Sequence, residues 1–65
     1  MNVFINQTPC ELAAGATLAQ AVAASQVTPP FAAALNRQFV PKTQYDQTPL
    51  HEGDQIELIA PVVGG

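Results

Sequence analysis

The residues with the most direct chemical potential in this 65-residue sequence are its last six, APVVGG, at positions 60–65. Glycine has no Cβ, so Gly64 and Gly65 can thread a narrow channel and bring a terminal carboxylate against another protein's catalytic atoms. A carboxylate is a poor electrophile by itself. Attaching AMP turns it into a mixed anhydride open to sulfur or nitrogen nucleophiles, and sulfur arriving there leaves a thiocarboxylate, itself a soft nucleophile. Average glycine usage puts two terminal glycines in roughly one chain in 200, so composition alone does not single them out. Their setting does: a strong strand pattern runs into them with no polar linker, and Val62 and Val63 carry apolar side chains that need a partner to cover them. The expectation is a single domain over 1–65 whose residues 61–65 form a flexible tail, with Gly65 as the reactive position.

Other reactive side chains are few and scattered. Cys10 is the single cysteine and His51 the single histidine, which excludes an internal disulfide and leaves no cluster at metal-ligand spacing. Persulfide chemistry needs an exposed thiolate favoured by nearby positive charge. No lysine, arginine or helix start adjoins Cys10, so it reads as a small hydrophobe on a strand. His51 reads as a solvated loop residue beside Glu52. Glu52, Asp54 and Glu57 either steer a basic partner surface or form a solvated rim, and Tyr45 reads as a partly buried lid on a sheet edge. No nucleophile, base and oxyanion donor converge, so no catalytic residue and no enzymatic activity are expected.

Composition narrows the setting further. The chain is 48% hydrophobic and 11% charged, a globular balance, although alanine supplies much of the apolar share. A net charge of -3 with only Arg37 and Lys42 as basic residues leaves nothing to neutralise a phosphate backbone, which argues against nucleic acid. The first residues lack a basic and then apolar leader, and no run approaches the ~20 apolar residues of a membrane span. The expected setting is cytoplasmic, with no membrane association.

The elements that must position the terminus follow from local signals. MNVFIN reads as a strand, NQTP as a turn, and the stretch from Cys10 to Ala13 as a second strand closing a hairpin. In TLAQAVAAS, Thr17 and Gln20 make a capping box, and Leu18 and Val22 share one helical face. FAAALN suits either helix or strand by composition, and its length and flanks favour strand. Residues 36–38 read as a turn, FVP as a short strand, and KTQYDQTPL as an irregular crossing with about one helical turn. EGD forms a tight turn with Gly53 at positive φ, and it launches QIELIAP with Ile56 and Leu58 on one face and Glu57 and Ile59 on the other. The expected core is Val3, Ile5, Leu12, Leu18, Val22, Leu35, Leu50, Ile56 and Leu58. The whole describes an α+β β-grasp fold: a mixed sheet with parallel first and last strands and one main helix packed across one face.

MNVFIN, TLAQAV, ALNRQFVP, EGDQIELIAPV and the ending GG together resemble the sulfur carrier proteins of thiamine biosynthesis, the ThiS family, which is ubiquitin-like. The resemblance covers nearly the whole chain and is most specific in GDQIE followed at short distance by GG. Members often have Asn-Gly in the first turn, where this chain has Asn6 and Gln7. The resemblance implies that an E1-like adenylyltransferase uses ATP to adenylate Gly65, and that the chain itself binds no cofactor. A cysteine desulfurase or persulfide carrier would then supply sulfur for the thiocarboxylate that thiazole synthase consumes. It also implies that Gly64 gives access to the cargo and that Val62, Val63 and the sheet face near Ile59 contact the partners. Two relatives of the same architecture remain as alternatives: the small subunit of molybdopterin synthase, and a ubiquitin-like modifier joined through Gly65 to a lysine. A plain interaction module with an irrelevant terminus is a third.

Overall fold

The computed structural model describes residues 1–60. Its sheet is assembled from two hairpins of the same design. Asn2–Ile5 (β1) and Thr8–Glu11 (β2) pair antiparallel with Ile5 opposite Thr8, which leaves Asn6 and Gln7 as a two-residue loop. Ala32–Leu35 (β3) and Gln38–Val40 (β4) repeat the pattern around Asn36 and Arg37. All four loop residues have left-handed backbone, with φ of 50° and 69° in the first loop and 50° and 70° in the second. This is type I′ geometry, whose twist matches that of the flanking strands. Asparagine tolerates it, whereas Gln7 and Arg37 adopt it at a cost of about 1 kcal/mol or more each.

The tightness of these loops corrects two boundaries expected from the sequence. Pairing resumes immediately after a two-residue loop, so β2 begins at Thr8 rather than near Cys10, and Gln38 belongs to β4 rather than to the turn. Pro9 therefore lies inside a strand. It does so harmlessly, because β2 is an edge strand and Pro9 faces Phe4 in the pair next to the loop-closing one. In that pair the backbone nitrogen points to the open edge, where no ladder donor is needed.

The fifth strand, Gln55–Ile59 (β5), inserts between the hairpins to give the order β2-β1-β5-β3-β4. It runs parallel to β1, with Ile5 opposite Ile56, and antiparallel to β3, with Ala33 opposite Leu58. The turn before it places Gly53 at φ 84°, and the Asp54 carboxylate accepts the His51 N–H at 2.7 Å. One helix, Leu18–Ser25 (α1), covers one face. Its start is held by the Thr17 and Gln20 capping box, in which the Thr17 N–H donates to Gln20 Oε1 at 2.8 Å. It ends at Gln26 in left-handed conformation. This mixed sheet with a single main helix across one face is the β-grasp architecture expected from the sequence.

Val3 and Leu18 are fully buried, and Ala21, Ala33, Val40, Leu50, Ile56 and Leu58 complete most of the core with them. Ile5, Leu12, Val22 and Leu35 are only partly buried around it. Alanines Ala16, Ala21 and Ala33 are also buried and contribute small side chains to this core. Tyr45 is also a core residue and not an edge lid. The 3₁₀ helix Lys42–Gln47 carries it inward, and its ring stacks on Phe31 with centroids 6.2 Å apart. The segment after this helix is tied to the start of α1 by two backbone bonds of 2.9 Å, Leu18 N–H to the Thr48 carbonyl and Leu50 N–H to the Ala16 carbonyl.

Leu18 is the main anchor of the helix, so Leu18→Ala should destabilise the domain by about 2–5 kcal/mol, seen as a lowered urea midpoint. A loss below about 1 kcal/mol would show that the helix is held mainly by its other contacts.

Candidate functional site

The exit of β5 toward the C-terminus is built by the backbone around it. On one side, β3 pairs with β5 as far as Ala32 opposite Ile59. On the other, β1 reaches only to Ile5 opposite Ile56 before its chain turns away. The ladder on that side is Phe4 N–H to the Asp54 carbonyl and Asn6 N–H to the Ile56 carbonyl, both 2.9 Å. The next rung is made by a side chain. Asn6 Oδ1 accepts the Leu58 N–H at 2.9 Å and Asn6 Nδ2 donates to the Leu58 carbonyl at 3.2 Å. A carboxamide carries the donor and acceptor of a peptide unit, so Asn6 stands in for the strand residue that the turn removes.

Asn36 does the same at the start of β5. Its backbone N–H donates to the Gln55 carbonyl at 2.7 Å, its Oδ1 accepts the Gln55 N–H at 3.0 Å, and its Nδ2 donates to Asp54 at 3.1 Å.

The sheet face opposite α1 is uncovered, and next to the exit it is apolar. Ile59 is 59% exposed and Phe39 70% exposed, the large hydrophobics most open to solvent among the described residues. The register places them together: Ala32 lies opposite Ile59, while Ala34 lies opposite both Phe39 and Glu57. The two alanines leave a shallow trough between Phe39 and Ile59. Ile59 was singled out from the sequence, whereas Phe39 was not, although the alternation in QFV against FAAAL contains the signal. Val62, Val63, Gly64 and Gly65 lie outside the described residues.

The acidic group is not a single surface. Glu52 accepts the Asn2 N–H at 3.0 Å and Asp54 bonds Asn36 and His51, so both carboxylates hold turns, while Glu57 alone lies on the outer face beside the apolar trough. His51 is exposed, its Nδ1 3.8 Å from Asp54. Cys10 is half-buried and packs beside the core, lining a groove of about 500 Å³ with Ile5, Pro9, Ala24, Val27 and Leu58. Among the described residues no group of three or more His, Cys, Asp or Glu could hold a metal ion, and no helix is long and apolar enough to cross a membrane.

The profile of the ThiS family matches residues 3–65 of the chain. Among solved structures, the crystal structure of the thiamine biosynthesis protein ThiS from Geobacter metallireducens superimposes with a TM-score of 0.81 at 23% identity, covering all of both chains. The NMR solution structure of a thiamine biosynthesis protein from the same organism gives a TM-score of 0.79 at 23% identity, over all of this chain and 88% of the other. At that identity the likeness to both is one of fold. No curated protein sequence matches significantly. The family profile runs from β1 through the terminal glycines, and the five-stranded sheet with its single main helix agrees with it. The chain therefore belongs to the ThiS family of sulfur carrier proteins with the ubiquitin-like β-grasp fold.

Proposed function

We propose that the protein is the sulfur-donating cosubstrate for thiazole formation in thiamine biosynthesis, with the carboxylate of Gly65 as the cargo site. The observation that carries this reading is the family match extending through Gly64 and Gly65, on a fold whose central strand, β5, ends at Ile59, a few residues before them in sequence. In the chemistry envisaged, a carboxylate oxygen of Gly65 attacks the α-phosphate of ATP on an E1-like enzyme, pyrophosphate leaves, and an acyl adenylate forms. A sulfur nucleophile, supplied from a cysteine desulfurase or persulfide carrier, displaces AMP at the carbonyl. When the sulfur arrives as a persulfide, the product is an acyl disulfide; a second thiolate attacks its carrier-side sulfur, forms a disulfide with the carrier and releases the thiocarboxylate, which delivers sulfur to thiazole synthase. The chain is recharged and reused, and all catalysis belongs to its partners in the cytoplasm.

The apolar trough of Ile59, Ala32, Ala34 and Phe39 supports a docking role for the outer face. It lies beside the exit of β5, so a partner covering it would hold the domain while Val62, Val63, Gly64 and Gly65 reach the reacting centre. Glu57 at its border favours a partner with a basic rim.

Intact mass of protein taken from cells should show a fraction with one C-terminal oxygen replaced by sulfur. Isopeptide conjugates in its place would identify a modifier, and growth of a deletion strain that recovers with a molybdenum cofactor source but not with thiamine would redirect the sulfur to molybdopterin. Deleting Gly65 should abolish ATP–pyrophosphate exchange by the activating enzyme with the circular dichroism spectrum unchanged; wild-type exchange in that deletion would sink the carrier reading.

Phe39→Ser should weaken binding to the activating enzyme by about tenfold while changing stability by no more than about 0.5 kcal/mol, measured by calorimetry and urea unfolding. Cys10→Ser should leave sulfur loading unchanged, and a strong loss would assign the thiol a place in the relay.

A further inference from the structure

We infer that Asn6 is a positioning residue for sulfur loading, fixing the direction in which the chain leaves the domain; the inference rests on the reading of Gly65 as the cargo site. Beyond Ile56, β5 has strand pairing only on its β3 side. The opposite side is held by the Asn6 carboxamide through its two bonds to Leu58. Leu58 directly precedes Ile59, the last residue of β5. Removing the carboxamide leaves the Leu58 N–H and carbonyl without their partner, and the final residues of the strand then pivot about β3 alone. A tail leaving from a loosened strand has more freedom to lose on entering a partner's channel, which weakens productive binding more than it slows chemistry once bound.

Asn36 supplies a matched control. It occupies the same position in an equivalent loop, with the same φ of 50°, and it also bonds β5 through its side chain. Its bonds lie at Asp54 and Gln55, at the opposite end of the strand. Glycine suits the left-handed backbone at both positions, so Asn6→Gly and Asn36→Gly each remove a clamp without straining its loop.

The experiment compares wild type, Asn6→Gly and Asn36→Gly in ATP–pyrophosphate exchange by the activating enzyme, together with backbone amide exchange and 15N relaxation. Asn6→Gly should raise KM for the carrier about tenfold with kcat within about twofold, accelerate exchange of the Leu58 amide about tenfold or more, and lower the order parameters of Ile59 and Ala60. Asn36→Gly should keep KM within about twofold of wild type and leave Leu58 and Ile59 unchanged. Should Asn6→Gly fail to fold, Asn6→Asp is read in the same assays. It keeps the acceptor for the Leu58 N–H, loses the donor to the carbonyl, and should raise KM about threefold. Equal KM rises in the Asn6 and Asn36 variants would make general stability the cause and overturn the proposal, as would an unchanged KM. If the wild-type chain itself supports no exchange, the carrier reading fails and the loading role of Asn6 falls with it; exchange in the wild type with KM unchanged or equally raised in the two glycine variants overturns the positioning role alone.

Discussion

The structure depends on the insertion of β5 between two hairpins that are distant from it in sequence. Each hairpin closes locally around a two-residue loop, but an isolated two-stranded hairpin is at best marginally stable in water. Among the described residues β5 is the only strand that contacts both hairpins, and it completes the five-stranded sheet on which α1 packs. Its pairing partners are β1, from the start of the chain, and β3, so most of the sheet's cooperativity is non-local. That cost in chain closure is offset by Ile56 and Leu58, which enter the core from the centre of the sheet.

The two loop asparagines serve this insertion in a second way. A type I′ loop turns the chain away just where β5 needs its next hydrogen-bonding partner. Asn6 and Asn36 meet the turn's requirement for left-handed backbone and return a carboxamide to the strand being abandoned. Glycine would satisfy the first demand and not the second. The same side chain therefore links local turn geometry to long-range sheet assembly, and at Asn6 also to the exit of the chain from the domain.

With its helix on one face, the sheet leaves the other open, and the edge toward the exit is apolar without being large. Alanines on β3 serve both sides: Ala33 is buried in the core, while Ala32 and Ala34 keep the outer surface low between Phe39 and Ile59. Ionic groups play a smaller part. Glu52 and Asp54 are engaged in holding backbone N–H groups and the Asn36 side chain, so the acidic character of that region is largely structural.

Local chemistry in the sequence determined the element types and most of their limits. The capping box of Thr17 and Gln20, the tight turn at Gly53 and the alternation through Ile56, Leu58 and Ile59 each depend on residues close in the chain, which is why they were legible. The family was recognisable from short motifs for the same reason. Tertiary structure alone decided the rest. Pro9 is acceptable only because β2 proves to be an edge strand, and Tyr45 is buried only because a 3₁₀ helix turns it under Phe31. Phe39 joins Ile59 only through the β3 register. Asn6 reaches Leu58 across 52 residues, a separation that no local pattern encodes, because the bond exists only when β5 has been placed beside β1.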